Sequence, residues 1–387
     1  MRKKGVLIIV PTYSPNVGGV ETHLGDLVRE LDSNDYRVYV HTYSPITTPG
    51  VNWEPREYFN NVEIRRHAWF GKNLLHKIEK KPVLVFLYIV PYLLIRVFLF
   101  MILNHRKIDI IHAHGFNAAF IGKFLKKIFR KKLFVSVHAI YELNPKCNTA
   151  LFIRNILMSA DGLSALSKAS YDELVSFGIP PKKLRIHENW TDLERFRPIP
   201  NKSELKRRFN LPDRFSVICI ARLTAIKGIK EFVSVAKKIP EISFIIVGNG
   251  PLENFVIRES QKIKNLYFMG SVDYSDLHLY YNLGDIFCIP SQYEEGYGRV
   301  AMEALACGSP VVGSNKGGIP EVVAQNVGIL VDPSVENLTE AVSRLYKDRK
   351  LFQKLKQNCR SYAEKNFSSR NAEIILKGYD ERENLRS

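Results

Sequence analysis

The chain has 387 residues, 45% of them hydrophobic and 25% charged, with a formal net charge of +17. That length suits two or three domains with ample core, and the composition excludes a fibre or a largely disordered chain. The cation surplus asks for an anionic partner: nucleic acid, acidic lipid or a phosphorylated substrate.

The stretch Met1–Lys4, basic through Arg2, Lys3 and Lys4, precedes an apolar run, Val6–Val10, that is too short for a secretory h-region and reads as a buried strand. Gly18-Gly19-Val20-Glu21 follows, just before a helix that starts near Val20. Glycines let backbone N–H groups approach an anion, and a helix N-terminus favours phosphate; the plain alternative is a flexible turn. Arg37–His41 reads as the next strand. Pro82–Leu103 is a 22-residue apolar stretch whose only charge is Arg96. Its length allows a membrane span, but Pro91 and Arg96 count against one; it reads as a lobe helix or as an element lying on a bilayer.

Ile108–His112 and Lys132–His138 read as strands that end in histidines. His112, His114 and His138 therefore stand at strand ends, where ligands of doubly wound folds bind. A metal site is not expected, because no acidic ligand cluster and no D-x-D accompany them. Between these strands, Phe120, Ile121, Phe124, Leu125, Ile128 and Phe129 form one helical stripe. Lys123, Lys126, Lys127, Arg130, Lys131 and Lys132 flank it, as in a helix resting on anionic lipid. The competing reading is a lobe helix with its apolar side on a sheet and a solvated basic side.

The polar stretch from Asn189 to Pro212, with Pro198, Pro200 and Pro212, reads as the link between two lobes. A second strand series follows: Val217–Ile220, Ser243–Val247, Leu266–Met269, Ile286–Ile289 and Pro310–Val312. Strand–helix alternation in both halves predicts an α/β protein of two doubly wound, Rossmann-like lobes with parallel sheets. The expected lobes are 1–193, joined by a returning C-terminal helix 368–387, and 194–367. Five scattered cysteines (Cys147, Cys219, Cys288, Cys307 and Cys359) with no C-x-x-C pair exclude a disulfide framework or zinc finger and suit a reducing compartment.

Three motifs of the second half follow strands. Arg222 and Lys227 lie five residues apart after Val217–Ile220, where a guanidinium fork and an ammonium can both meet a diphosphate. Gly248-Asn249-Gly250 is a G-x-G, but Glu253 stands where the third glycine of a dinucleotide fingerprint would be, which disfavours a nicotinamide enzyme. After Ile289 comes Glu294-Glu295-Gly296-Tyr297-Gly298-Arg299, then a helix through Ala306 that carries Glu303. Backbone donors beside that helix start and two carboxylates eight residues apart suit a polyol phosphate.

In this order the motifs resemble glycosyltransferase family 4, retaining GT-B enzymes that use nucleotide sugars. The resemblance runs from Gly18-Gly19-Val20-Glu21 through Ile111-His112-Ala113-His114, Val137-His138, Arg222 to Lys227 and Gly248-Asn249-Gly250. It ends with Glu295 to Glu303, Ala304-Leu305-Ala306-Cys307-Gly308 and Gly317-Gly318-Ile319-Pro320-Glu321. It implies that the Gly18 and Gly19 amides meet the distal phosphate and that Arg222 and Lys227 neutralise the leaving diphosphate. Glu303 would hold the ribose, and Glu295, Gly296, Tyr297 and Gly298 the sugar, with Gly248, Asn249 and Val272 lining the donor. His138 would orient the sugar, His138, Glu295, Arg222 and Lys227 would form the catalytic set, and His114 would stand on the acceptor side. Three positions depart from the pattern. Asn189-Trp190-Thr191-Asp192 lacks the usual glycine, Asn249 stands where an acid is frequent, and Arg299 replaces an aliphatic residue, adding a cation expected near the phosphates.

The expected activity is retaining transfer of a hexosyl or N-acetylhexosaminyl group from a nucleoside-diphosphate sugar, with uridine as the favoured base, and with no cofactor and no metal. The acceptor expected is a glycan or a membrane lipid, since the opening motif through Thr22-His23 is similar to that of phosphatidylinositol N-acetylglucosaminyltransferases. The enzyme is expected to be cytoplasmic and peripheral on the inner face of an anionic membrane. A nucleotide-sugar epimerase of the same fold is the alternative. Nucleic acid is not an expected partner, for lack of any helix-turn-helix, zinc or RNP-like signature.

Overall fold

The computed structural model describes residues 2–380, apart from 17, 49, 72–73 and 79–80. It divides into two compact units, 1–189 with 369–387, and 190–368. The boundary falls four residues before the expected one at 193, because the backbone of Trp190 and Thr191 is bonded to Arg299 and Phe367 of the second unit.

The first unit holds an eight-stranded sheet: β1 Gly5–Ile9, β2 Arg37–Tyr43, β3 Arg56–Phe59, β4 Val62–His67, β5 Ile110–His114, β6 Lys132–Val137, β7 Gly162–Ala165 and β8 Leu184–Ile186. The order is β3-β4-β2-β1-β5-β6-β7-β8, parallel except for the β3–β4 pair. The central strands are buried apolar runs, as a parallel sheet covered on both faces requires. Helix α1, Gly19–Ser33, buries Leu24, Leu27, Val28 and Leu31, the i, i+3, i+4, i+7 spacing of one helical face. Helix α2, Pro82–Asn104, and helix α3, Gly115–Phe129, pack against each other and the sheet. Helix α4 is Asn148–Leu157. β5 begins two residues later than expected, so His112 and His114 both lie within it, on one side of the strand.

The returning C-terminal segment is a short 3₁₀ turn and then a helix, Glu373–Asp380; residues 381–387 of the expected helix lie outside the described residues. The Tyr379 hydroxyl lies 2.6 Å from His112 Nδ1, and the Tyr379 carbonyl accepts from Lys132 Nζ at 2.7 Å.

That contact corrects the basic stripe. Lys132 is 4% exposed and bound inside the unit, so it cannot reach a membrane. Lys126 Nζ pairs with Asp161 at 2.6 Å and also bonds the Ser159 carbonyl, and Lys123 bonds the Asn155 carbonyl. Lys127 and Arg130 are exposed, and Lys131 is half-buried. Of the apolar stripe, Ile121 and Leu125 are core residues, while Phe124 and Ile128 are exposed. α3 is thus largely the lobe helix of the competing reading. Its cations near the C-terminus also favour the helix dipole.

The second unit holds six parallel strands: β9 Ser216–Ile220, β10 Ser243–Val247, β11 Leu266–Phe268, β12 Ile286–Ile289, β13 Val311–Ser314 and β14 Gly328–Val331, in the order β11-β10-β9-β12-β13-β14. Helix α5, Ile229–Lys238, buries Ile229, Phe232, Val233 and Ala236 against this sheet. Helix α6, Arg299–Ala306, is almost wholly buried.

Candidate functional site

The loops after β9 and β12 meet at the carboxyl ends of neighbouring strands. Gln292 N donates to Ile226 O at 2.7 Å, and a Cβ on Gly228, whose φ is 70°, would lie 1.9 Å from Pro290 O. Only glycine allows that approach. It brings Lys227 onto Glu295: Nζ to Oε1 is 2.6 Å, and Nζ also reaches the Tyr293 hydroxyl at 2.9 Å. Glu295 accepts further from Ser291 Oγ at 2.6 Å and Tyr293 OH at 2.7 Å. Burial opposes the charge on Lys227, but Glu295 and Tyr293 outweigh it, and the ammonium stands above its ordinary pKa. Burial, with Glu295 adding to it, pushes Tyr293 up to about 12, so its hydroxyl keeps its proton. Two of the three Lys227 protons are engaged, and among the described residues the third has no acceptor.

Arg222, exposed, stands on the same loop as Lys227. Gly248 and Gly250, at φ 135° and 150°, support that loop: a Cβ on either would strike Ala221 O at 2.0 Å or Leu223 N at 2.8 Å. Leu223 N also donates to Asn249 O at 2.7 Å. The G-x-G is therefore a brace for the arginine loop. Val272 is half-buried in the loop after β11, whose Gly270 carbonyl accepts from Gly248 N. Gly317 and Gly318 act similarly on the Glu295 loop; a Cβ on Gly317 would sit 2.2 Å from Glu295 O, and Gly318 N donates to that oxygen at 2.8 Å. Gly296 is half-buried, Tyr297 buried, and Gly298, at φ 87°, caps α6.

Glu303 forms a second group. It is 2% exposed; Tyr281 OH donates to Oε2 at 2.7 Å and Arg299 Nε to Oε1 at 2.9 Å. Arg299 also donates to Trp190 O and Tyr274 OH. This corrects the expectation of an added cation near phosphates: Arg299 is buried, and its charge is matched by Glu303 in a closed ion pair.

In the first unit, Gly18 and Gly19 open α1, and Thr22 N donates to Gly18 O at 3.0 Å. A Cβ on Gly18 would lie 2.3 Å from Glu21 Oε2, so the glycine leaves room for that carboxyl, whose pKa burial raises. His114 Nδ1 and His138 Nε2 are 2.9 Å apart. His112 is bound between Tyr379 and Ser136 at 2.6 and 2.8 Å, a structural role. Sequence reasoning passed over two more histidines. His23 on α1 and His187 just after β8 bring their rings to 5.5 and 6.2 Å from that of His138. The strand-end rule applied to His138 also marks His187; His23 follows the glycine motif by four residues, one helical turn. Burial pushes His138 down to about 4 and His187 to about 3, so both are neutral at pH 7. Nitrogens of His23, His138 and His187 lie within 4.8 Å of one another, a grouping that a metal ion could use. Three imidazoles are a donor set that zinc accepts, and the sequence expectation of no metal, which looked for acidic ligands, did not count them.

Two family profiles match the chain: Glycosyltransferase Family 4 over residues 17–195 and Glycosyl transferases group 1 over 201–366. Similar proteins include the GDP-mannose-dependent alpha-(1-6)-phosphatidylinositol monomannoside mannosyltransferase of Mycobacterium tuberculosis, 26% identical over 89% of each chain. A phosphatidylinositol N-acetylglucosaminyltransferase component of Homo sapiens is 23% identical over 89% of this chain and 68% of the human one. Among solved structures, sucrose-phosphate synthase of Thermosynechococcus elongatus superimposes with a TM-score of 0.77 at 22% identity, covering 97% and 98% of the two chains. Anabaena Alr3699/HepE in complex with UDP and glucose gives 0.76 at 20% identity, covering 96% and 98%.

Proposed function

We propose, for a chain that belongs to glycosyltransferase family 4 and has the two α/β lobes of GT-B enzymes, retaining transfer of a sugar from a nucleoside diphosphate to a membrane lipid or lipid-linked glycan. That it is a glycosyltransferase follows from the family; the donor, stereochemistry, acceptor and membrane placement are our reading. The supporting observation is the Lys227–Glu295 constellation at the carboxyl ends of β9 and β12. Three donors fix the orientation of the Glu295 side chain, which suits an acceptor of sugar hydroxyls. The spare Lys227 proton and the Arg222 fork suit diphosphate oxygens.

When the bond from the anomeric carbon to the diphosphate oxygen breaks, negative charge grows on the diphosphate, and Lys227 and Arg222 stabilise it there. The acceptor oxygen bonds to the same face of that carbon, and its proton passes to the departing diphosphate. Within the first unit, the Gly18 and Gly19 amides at the start of α1 suit a phosphate, and His138, held by His114, suits the orientation of a sugar. No metal is required in this scheme, since fixed cations and a helix N-terminus supply the positive charge.

The mycobacterial and human relatives act, by their names, on phosphatidylinositol or its mannoside, which supports a lipid acceptor and a peripheral position on a membrane. A thermal-shift screen of UDP- and GDP-linked sugars tests the donor and its base. A bound donor at a hundred times its Kd stabilises by about 2.7 kcal/mol. Absence of any stabilisation overturns the reading, and donor conversion without an acceptor replaces it with an epimerase.

A further inference from the structure

Helix α2 is apolar on both sides. One side, with Ile89, Leu93, Val97, Phe100 and Met101, is buried in the core of the first unit. The other carries Leu84, Leu87, Ile95, Leu99 and Ile102 at helical spacing, each 44–59% exposed, with Leu103 82% exposed at the end. Pro91 lies on this outer side, exposed, and contributes no N–H to the helix ladder. The helix is long and apolar enough to cross a membrane, yet one side is committed to the sheet. Crossing would strip that core; lying on a bilayer would not. Soluble monomers keep contiguous apolar patches to roughly 300–600 Å². This one continues sideways: Phe98 meets Phe124 of α3, and Phe86 meets the exposed Phe152 of α4, at ring distances of 6.0 and 5.9 Å.

Beside the outer side opens a cavity of about 260 Å³. Arg56, Arg65, Arg66 and Arg96 line it together with Leu99 and Leu103, and no carboxylate is among its lining residues. Arg66 and Arg65 are paired with Glu57 and Glu63, at 2.7 and 2.6 Å. Arg56 and Arg96 have no carboxylate partner among the described residues; Arg96 Nε donates to His67 Nδ1 at 3.2 Å. Burial and the neighbouring Arg96 and Arg65 push His67 to about 4, so it adds no charge at neutral pH. The single charge of the apolar helix thus stands in an arginine-lined hollow at the border of its exposed face.

We propose that this hollow is a binding site for the phosphate headgroup of an anionic glycerophospholipid, whose acyl chains cover the outer side of α2. The inference deepens the membrane part of the function proposed above and names α2, in place of the α3 cations, as the docking element. The guanidinium groups of Arg56 and Arg96, which face no carboxylate among the described residues, match phosphate by fork geometry, and the adjoining leucines match the chains. The site lies along β2, β4 and α2, apart from the end of β5, which carries His114, and the loop after β6, which carries His138.

The test is flotation of the full chain with vesicles of phosphatidylcholine alone or with 30% phosphatidylglycerol, and the donor-induced thermal shift is read in parallel. Wild type floats with the acidic vesicles only. Arg56→Gln with Arg96→Gln weakens partitioning roughly thirtyfold, at about fivefold per cation near an anionic surface. Arg56→Lys with Arg96→Lys, which keeps the charge and loses the fork, still weakens it severalfold. Leu99→Ser with Leu103→Ser weakens it as well. All three variants keep the donor shift, which separates failure here from failure of the transferase reading. Lysine variants that bind like wild type would reduce the effect to diffuse charge and overturn the site. Equal binding to neutral vesicles, or a dimer in solution that the serine variant dissociates, overturns it too. If wild type ignores both vesicle types, the membrane reading fails with it.

Discussion

Lys227 is the side chain on which the proposed chemistry depends most. Removing one donor aimed at developing charge costs about 2.7–4 kcal/mol of barrier. Lys227→Ala should therefore lower kcat by roughly 10²–10³. Steady-state kinetics check this, and an unchanged kcat removes Lys227 from the mechanism. Arg299 predicts a different signature. Removing one partner of a buried ion pair leaves the other uncompensated, at about 3–5 kcal/mol. Arg299→Ala should lower the unfolding free energy, measured by chemical denaturation, by that amount. The buried histidines predict a pH dependence. The folded values of His138 and His187, about 4 and 3, lie below the unfolded value near 6.5, so the unfolded chain takes up protons first. Their contribution is complete above pH 6.5 and is lost as the pH falls toward 4, by up to about 1.4 kcal/mol per pH unit for each histidine. Denaturant titrations at pH 7.5 and 5 measure it, and His187→Asn should flatten the slope. Lys227, Glu295 and His138 were legible as residue types just after apolar runs. Their partners Tyr293, Ser291 and His187 were not, because which hydroxyl or ring reaches them depends on how loops from different strands cross.

At the scale of elements, the glycines carry most of the positional information. Gly317 has a φ of 55° and leaves no room for a Cβ against Glu295 O. Gly317→Ala should displace the Glu295 loop, cost at least about 1 kcal/mol of stability and weaken donor binding about tenfold. Calorimetric titration with a nucleotide sugar checks the second effect. The strands found by apolar runs are those covered on both faces. β4, Val-Glu-Ile-Arg-Arg-His, alternates with charge, β3 is an exposed antiparallel edge, and β7 and β8 have four and three residues. Such elements take their pairing from neighbours, and a local pattern does not reveal them. The basic stripe misled for the converse reason. Six cations in one segment look alike in a sequence, while the fold buries one and ties others to acceptors within the unit.

At the scale of the molecule, the first unit is assembled from two distant stretches of chain, and the link that begins at Asn189 was legible through its prolines. The tie is specific: Tyr379 bonds His112 through its hydroxyl and Lys132 through its carbonyl. Tyr379→Phe removes the hydroxyl contact alone and should destabilise by about 1–3 kcal/mol, as expected when a buried imidazole loses its partner. Native-state hydrogen exchange should place that loss in the amides of β5 and β6 and leave those of β9 to β14 unchanged. The same connectivity orders events during synthesis. Domains ordinarily close from the amino end as the polypeptide leaves the ribosome. Here the later, contiguous unit has all its strands translated before the earlier one receives the helix that seats Tyr379. For that interval the nascent sheet around Lys132 carries a cation whose seat has yet to be translated.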